Sequence, residues 1–282
     1  MPADSQARRL LKRVLFPVLN EKSYRLIQCV AKAWDIRTGS WSEPELDLVP
    51  LAVQSGDTVL DIGANYGLYS YHLSRAVGPS GRVYAFEPVP FTSSTFRLVS
   101  KILCFRNVEL VPKGCSDQEG KVAFTLPIQG SGPMSAGLAH IHRRNNEREG
   151  RGIHFPYEKT QEVWCEVVKV DDFLPDLSNL SFIKCDIEGA EFLAFRGAQK
   201  TIERHSPTVL CEINPWFLEG FGIELKELLD FFLEKGYQMY HYENPNGRGQ
   251  LKSVTAQEVV ENNYLFVHPS RFERLRPLLG QS

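Results

Sequence analysis

One run of residues constrains this chain more than any other: Asp61-Ile62-Gly63-Ala64-Asn65-Tyr66-Gly67. It continues a short apolar stretch, Thr58-Val59-Leu60-Asp61-Ile62, and leads into residues 67–77, whose pattern suits a helix stopped by Gly78-Pro79. A strand, a glycine turn and a helix in that order open a βαβ unit. Small residues in the turn let the backbone approach a ligand, and the helix N-terminus behind it presents unpaired N–H groups.

Two kinds of nucleoside cofactor exploit this geometry, and spacing separates them. A dinucleotide fingerprint starting at Gly63 needs glycine at 65 and 68, where this chain has Asn65 and Leu68. The S-adenosylmethionine pattern is an acid followed two positions later by G-x-G-x-G. It holds here at Asp61, Gly63 and Gly67, with Asn65 in place of the middle glycine. Asparagine enters the left-handed backbone region more readily than most residues. Ala64 and Tyr66 complete the loop. Glu87 follows Gly67 by twenty residues and ends a second strand, Arg82-Val83-Tyr84-Ala85-Phe86-Glu87. A carboxylate there accepts both hydroxyls of a ribose, a contact common to either cofactor. Past the third strand, Ser116 and Asp117 are candidates for the adenine edge.

The surrounding rhythm predicts an α/β fold. A helix over 92–104 and a third strand over 108–112 extend a parallel sheet with right-handed crossovers. The rhythm then lapses. Strand-like segments at 121–126 and 163–170 bracket residues 127–160, which are rich in Gly, Pro, Arg, Asn and His. Residues 118–170 read as an insertion with its own β pairing, covering the acceptor side of the site. Within it, residues 127–160 are expected to close over the acceptor, with His140, His142, His154 and Tyr157 as polar contacts or as a base in place of Glu188. The α/β pattern resumes with a strand at 181–186, a helix over 190–204 and a strand at 208–213. An amphipathic helix over 224–235 follows, then two late strands at 237–242 and 264–267. Residues 1–55 form a helical N-terminal segment and residues 56–282 the main domain. In that segment Leu10, Leu11, Val14, Leu15 and Val18 share one helical face, read as packed on the domain.

Composition narrows the class. Of 282 residues, 43% are hydrophobic and 23% charged, and the formal net charge is −2. No global positive field exists to gather nucleic acid, so none is expected as a partner. Six cysteines occur without a C-x-x-C pair, which suits buried free thiols in a reducing compartment. No apolar stretch reaches the ~20 residues that span a bilayer. The basic, apolar segment from Arg8 to Phe16 is interrupted by Pro17 and lacks a cleavage site, so a secretory signal is not read there. The expected location is cytoplasmic.

With these residues in place, the chain resembles the FkbM-type methyltransferases, a family of S-adenosylmethionine-dependent enzymes with a Rossmann-like fold. The resemblance rests on residues 59–67, on Ala85-Phe86-Glu87-Pro88, on Ser116–Gly120, and on Phe182-Ile183-Lys184-Cys185-Asp186-Ile187-Glu188-Gly189-Ala190-Glu191. It runs from about residue 42 to about 268. It implies a mostly parallel central sheet with helices on both faces and O-methylation of a hydroxyl. The acceptor would be a small molecule or glycan, such as a sugar or a secondary metabolite. Neither residues 127–160 nor the first forty match a pattern that names the acceptor.

The chemistry belongs outside the carboxyl end of the fourth main strand. Asp186 sits at that end, and Lys184, two residues earlier, shares its face. Methyl transfer from a sulfonium is an in-line displacement needing a held acceptor and a group to take one proton. Asp186 is assigned to position the methionine ammonium or the acceptor, Glu188 to act as general base, and Lys184 to support them. Glu191 starts the next helix, where it complements the dipole. Asp186 with Glu212 or Asn214 one strand over offers oxygen ligands for Mg²⁺. Asn214-Pro215-Trp216-Phe217 imitates the N-P-P-Y motif of amino-methylating enzymes, but it follows the fifth strand rather than the fourth. Trp216 is therefore expected to wall the acceptor site. Two other readings compete: an NAD-dependent oxidoreductase, disfavoured by the glycine spacing, and a non-catalytic nucleoside-binding protein, disfavoured by the intact acids.

Overall fold

The computed structural model describes residues 21–128, 140–141 and 159–279. The expected cover at 127–160 and the basic apolar segment near the N-terminus fall almost wholly outside them. Helix α1 (Glu21–Thr38) leads to a 3-10 turn (Pro44–Leu48) and a short α2 (Val49–Ala52). The alternating core follows: β1 (Thr58–Ile62), α3 (Leu68–Val77), β2 (Arg82–Phe86), α4 (Pro90–Ile102) and β3 (Val108–Val111). Next come β4 (Gly114–Cys115), β5 (Gly120–Ile128), β6 (His140–Ile141), β7 (Lys159–Val168) and α5 (Val170–Phe173). The chain then builds β8 (Leu180–Cys185), α6 (Glu191–Gly197), α7 (Gln199–His205), β9 (Thr208–Ile213), α8 (Pro215–Gly220) and α9 (Leu225–Leu233). It ends with β10 (Gln238–Glu243), β11 (Gln250–Ser253), β12 (Asn262–Val267) and α10 (Phe272–Leu275).

The main sheet has the order β11-β10-β12-β9-β8-β1-β2-β3. Strands β9, β8, β1, β2 and β3 run parallel, and β12, β10 and β11 close the other edge antiparallel. Alternation along each strand feeds two apolar layers. Leu60, Ile62, Ile183 and Cys185 face Phe192, Phe195, Leu228 and Phe232 of α6 and α9. Val59, Val83 and Phe182 face Ala33, Leu73 and Val99 of α1, α3 and α4. This is the expected Rossmann-like α/β architecture with helices on both faces. Because β8 enters beside β1, crossovers leave the β1 edge in opposite directions, and a crevice opens at the carboxyl ends there.

The structure differs locally from the sequence reading. The helix expected over 190–204 is two helices, broken at Ala198 (φ −116°, ψ 13°). Gly197 lets the Ser116 carbonyl come so close that an added Cβ would lie 1.9 Å from it. The Asp171 carboxylate then starts the second helix, accepting from the N–H groups of Lys200 (2.9 Å) and Thr201 (2.8 Å). Strand β11 and the turn of helix α8 were not anticipated. The insertion does form its own sheet, in the order β4-β7-β5-β6, but that sheet begins at Gly114 rather than near residue 118.

Candidate functional site

A cleft of about 250 Å³ opens at the carboxyl ends of β1, β2, β8 and β9. Its lining includes Asp61, Gly63, Ala64, Asn65, Glu87, Lys184, Asp186 and Glu188, all anticipated from sequence.

The glycine loop alternates through the left-handed region, with φ of 84° at Gly63, 50° at Asn65 and 93° at Gly67. Asn65 thus stands where the backbone demands a conformation that glycine or asparagine supplies cheaply. Gly63 has a further reason. A Cβ there would lie 1.9 Å from the Asp186 carbonyl oxygen, so the glycine lets the β1 and β8 loops touch. The close approach that sequence assigned to a ligand is made at this position by the protein's own backbone. Gly67 turns toward Phe96, 3.0 Å from an added Cβ, and Tyr66 lies edge-on to Trp41 at 6.4 Å. Neither Tyr66 nor Gly67 is part of the cleft wall.

Glu87 is buried, and both its oxygens face backbone donors: Oε2 accepts from Asn65 N–H and Oε1 from Val89 N–H, each at 3.0 Å. Each oxygen keeps lone pairs for a second donor. Burial pushes its carboxyl up to about 7 against those two hydrogen bonds. The Asn65 side-chain oxygen is buried with no partner among the described residues. Together these acceptors fit a ligand that brings hydroxyl or amine donors. Asp61 is buried on β1 and accepts from Ser70 Oγ at 2.5 Å. Burial raises it to about 6, opposed by Ser70 and by the charge of Lys184.

Lys184 is Asp61's register partner on β8 and is 2% exposed. Its ammonium donates to Asn263 Oδ1 (3.1 Å), lies 3.5 Å from Asp186 Oδ2 and sits over the Tyr69 ring at 5.1 Å. Burial works against its charge, but Asp186, Glu43 and Glu212 outweigh it and hold the ammonium above its ordinary value. Asp186 also meets Glu212 electrostatically, the two following the register partners Cys185 and Cys211 at neighbouring strand ends. Despite the cost of burial, Lys184 and Glu212 hold Asp186 below the usual carboxylate range. Glu212 moves the other way, up to about 9, through burial and the charge of Asp186.

Glu188 lies in the loop after β8 at φ 58°, followed by Gly189 at φ 104°. Sequence reading gave Glu191 to the helix dipole. Its larger task is to tie that loop, Oε1 accepting from Ile187 N–H (2.9 Å) and Gly189 N–H (3.1 Å). Ser116 and Asp117 follow β4 rather than lining the cleft. Asp117 pairs with Arg196 at 3.2 Å. The Asn214-Pro215 pair is a helix start: Asn214 Oδ1 accepts from Trp216 N–H (3.0 Å) and Phe217 N–H (3.3 Å), with Pro215 in the first turn. Trp216 packs on Phe217 at 5.4 Å and is not part of the cleft wall as expected. The Mg²⁺ option fits poorly. Asn214 is committed as a cap and Asp186 to Lys184 and Glu212, and among the described residues no group of three His, Cys, Asp or Glu is placed to hold a metal.

Sequence reading missed Trp41, Glu43, Tyr69 and Phe124, which also line the cleft. Tyr69 OH donates to Glu43 Oε2 at 2.8 Å. Glu43 precedes the sheet and Phe124 belongs to the insertion, so only tertiary folding brings them here.

A cleft of acids and glycine turns at the switch point of a doubly covered parallel sheet defines a Rossmann-like fold with a site suited to a nucleoside ligand. The family model described as the Methyltransferase FkbM domain matches residues 61–239. The chain belongs to that family. Among curated proteins it is similar to Methyltransferase 1 of Beauveria bassiana (strain ARSEF 2860), with 28% identity over 49% of this chain and 57% of that protein. The match therefore spans little more than half of that relative. It is also similar to Methyltransferase sdnD of Sordaria araneosa, at 24% identity over 72% of this chain and 82% of that one. Among solved structures, the methyltransferase FkbM of Methylobacillus flagellatus KT aligns with 18% identity and a TM-score of 0.45, over 75% of this chain and 44% of that one. Among the described residues no helix is long and apolar enough to cross a membrane.

Proposed function

We propose that this enzyme transfers a methyl group from S-adenosylmethionine to a hydroxyl of a small-molecule or glycan acceptor, such as a sugar or secondary metabolite. The observation that carries the cofactor reading is Glu87. Its carboxylate is fixed in the cleft wall by the N–H groups of Asn65 and Val89, at the end of the strand beside the Asp61–Gly67 loop. That is where a ribose diol finds a charged acceptor. Gly63, Ala64 and Asn65 form the adjoining wall, and Asn65 adds an unsatisfied acceptor.

The donor supplies an electrophilic methyl on a positively charged sulfur. The chain's residues hold the acceptor oxygen and receive its proton. Asp186 and Glu188 flank the cleft at the β8 end. Their carboxylates, with Lys184 beneath Asp186, suit hydrogen bonds to an acceptor hydroxyl more than apolar contact. That polarity, together with membership of the FkbM family, supports oxygen as the methylated atom.

Calorimetry with S-adenosylhomocysteine and with NAD tests the cofactor. Heat from the first and none from the second is expected, and the reverse would sink the reading. Mass spectrometry of hydroxylated acceptors incubated with enzyme and donor tests the reaction through the mass of one added methylene.

A further inference from the structure

Glu212 has no role in the reading above, yet it lines the cleft at the end of β9 beside Asp186, the two following the register partners Cys211 and Cys185. Two carboxylates sharing one site resist double ionisation, and as ionised groups they are acceptors only and cannot bond to each other. A single proton between them relieves both. Lys184 is buried beneath the pair, 3.5 Å from Asp186 Oδ2, and anchored on the other side by Asn263 Oδ1 at 3.1 Å. One ammonium balances one negative charge, so the singly protonated pair over Lys184 is locally neutral.

Resting on the reading of the cleft as a methyl-donor site, we propose that Glu212 is a functional residue. It holds with Asp186 a single exchangeable proton, given up when a cationic donor enters the cleft and restored by the acceptor hydroxyl.

The electrostatics of the surrounding elements support this division. Lys184 from β8 favours ionisation of the pair. Glu43 ahead of the sheet, Asp61 and Glu87 at the β1 and β2 ends, and Glu188 in the next loop oppose it. Tyr69 from α3 donates to Glu43, and His241 from β10 sits behind Asn263 at 3.3 Å from its carbonyl. In this balance Asp186 is the ionised member and Glu212, raised to about 9, the protonated one. A second positive charge in the cleft shifts the balance toward two ionised carboxylates, and the proton leaves to solvent. The acceptor then meets a dianionic pair. As the oxygen–methyl bond forms and the sulfur–methyl bond breaks, the hydroxyl proton passes to the pair and the sulfur becomes a neutral thioether. The pair is back in its starting state, and the one proton lost overall is the one released when the donor arrived.

Two measurements test this separately. Infrared spectra of the ligand-free protein near pH 8, where ordinary carboxyls are ionised, should show a carboxylic-acid carbonyl band. Glu212→Gln should remove most of it, leaving the small share from Glu87 and Glu191, and Asp186→Asn should shrink it by taking away the charge that adds to burial in keeping Glu212 protonated. An unchanged band in both variants overturns the shared proton whatever the cleft binds. Calorimetry near pH 8, in buffers of different ionisation heat, should show clearly more proton release with S-adenosylmethionine than with the neutral thioether S-adenosylhomocysteine, which displaces only the small share still held by Glu87. In Glu212→Gln the excess should vanish while S-adenosylhomocysteine affinity stays within about threefold. Equal release with both ligands, or an excess that survives Glu212→Gln, overturns the role given to the pair. If the band is present but neither ligand binds, it is the cofactor reading that falls, and donor-driven release with it.

Discussion

On the cofactor reading proposed for the cleft, Glu87 couples binding to pH. Its carboxyl sits at about 7 because burial outweighs the hydrogen bonds from Val89 and Asn65. Only the ionised form accepts two ribose hydroxyls, so affinity for S-adenosylhomocysteine should rise as pH passes upward through about 7 and level off above it. Glu87→Gln should flatten that profile and weaken binding by roughly 1–3 kcal/mol. Calorimetric titrations across the range check both, and a pH-independent wild type would place the ribose elsewhere. Glu191 makes a matching case for stability. It is buried, its Oε2 has no partner among the described residues, and burial lifts it to about 7. A carboxyl raised on folding binds its proton more tightly in the native state. Its stabilisation is complete below the unfolded value and is lost as pH climbs through the folded one. Glu191→Gln keeps an oxygen for Ile187 and Gly189, so its melting temperature relative to wild type should climb between about pH 5 and pH 8. A constant difference would refute this. Asp61, Gly63, Asn65, Glu87 and Asp186 were legible as site residues because the chemistry and the backbone demand of each lie within a few residues of sequence. Glu43 and Tyr69 were harder, and Glu212 was read only as an oxygen ligand for a metal beside Asp186. No local pattern distinguishes a carboxylate that will meet a lysine across a sheet from one that will face water.

At the scale of elements, the loops matter more than the strands that carry them. The β1 and β8 loops meet at Gly63, where a Cβ would fall 1.9 Å from the Asp186 carbonyl. Its φ of 84° is also hostile to a side chain. Gly63→Ala should therefore cost more than about 3 kcal/mol, through forced separation of the loops as well as backbone strain. Chemical denaturation measures it, and a cost under about 1 kcal/mol would mean the loops part freely. The Asn214-Pro215 start of α8 is the opposite kind of case. Its resemblance to an amino-methylation motif comes from the same residue types serving another need: a side-chain acceptor for orphan N–H groups and a proline where no N–H is wanted. Asn214→Ala should destabilise by about 0.5–2 kcal/mol and leave the specific activity of the folded fraction unchanged. A loss of activity larger than the loss of folded protein would return Asn214 to the site. The strand–helix alternation was readable because a parallel sheet buried on both faces writes near-continuous apolar runs between glycine turns. The break at Ala198 was not, because it depends on Asp171 and Ser116 arriving from distant parts of the chain.

The whole molecule places two sheets around one cleft, and they divide the work. The main sheet supplies Asp61, Glu87, Asp186 and Glu212 from its carboxyl edge, while the second sheet supplies Phe124. That second sheet is anchored rather than loosely attached. Phe124, Leu126, Cys165 and Val167 form one apolar cluster with Val89 and Ala190, which belong to the loops after β2 and β8. The chain leaves for it after β3 and returns before β8, so its position is fixed relative to the catalytic edge. Sequence foresaw an insertion with its own pairing, since alternating segments on either side of a polar stretch permit little else. It did not foresee that Gly114-Cys115 would pair in parallel with Val167-Val168 and tie the second sheet to the end of the first. This division separates two kinetic quantities. Phe124 is 8% exposed and is an apolar surface in a wall otherwise rich in carboxylates. On the reading proposed for the cleft it suits the carbon skeleton of an acceptor, and the donor's polar groups find their partners on the main sheet. Phe124→Ala should raise the acceptor Michaelis constant by about 5–30-fold, corresponding to roughly 1–2 kcal/mol of lost contact. The dissociation constant for S-adenosylhomocysteine should move by less than about twofold. Steady-state kinetics with an acceptor identified by mass spectrometry, paired with calorimetry on the same variant, separates the two effects. A weakened S-adenosylhomocysteine complex with an unchanged acceptor constant would assign Phe124, and with it the second sheet, to the cofactor side of the cleft.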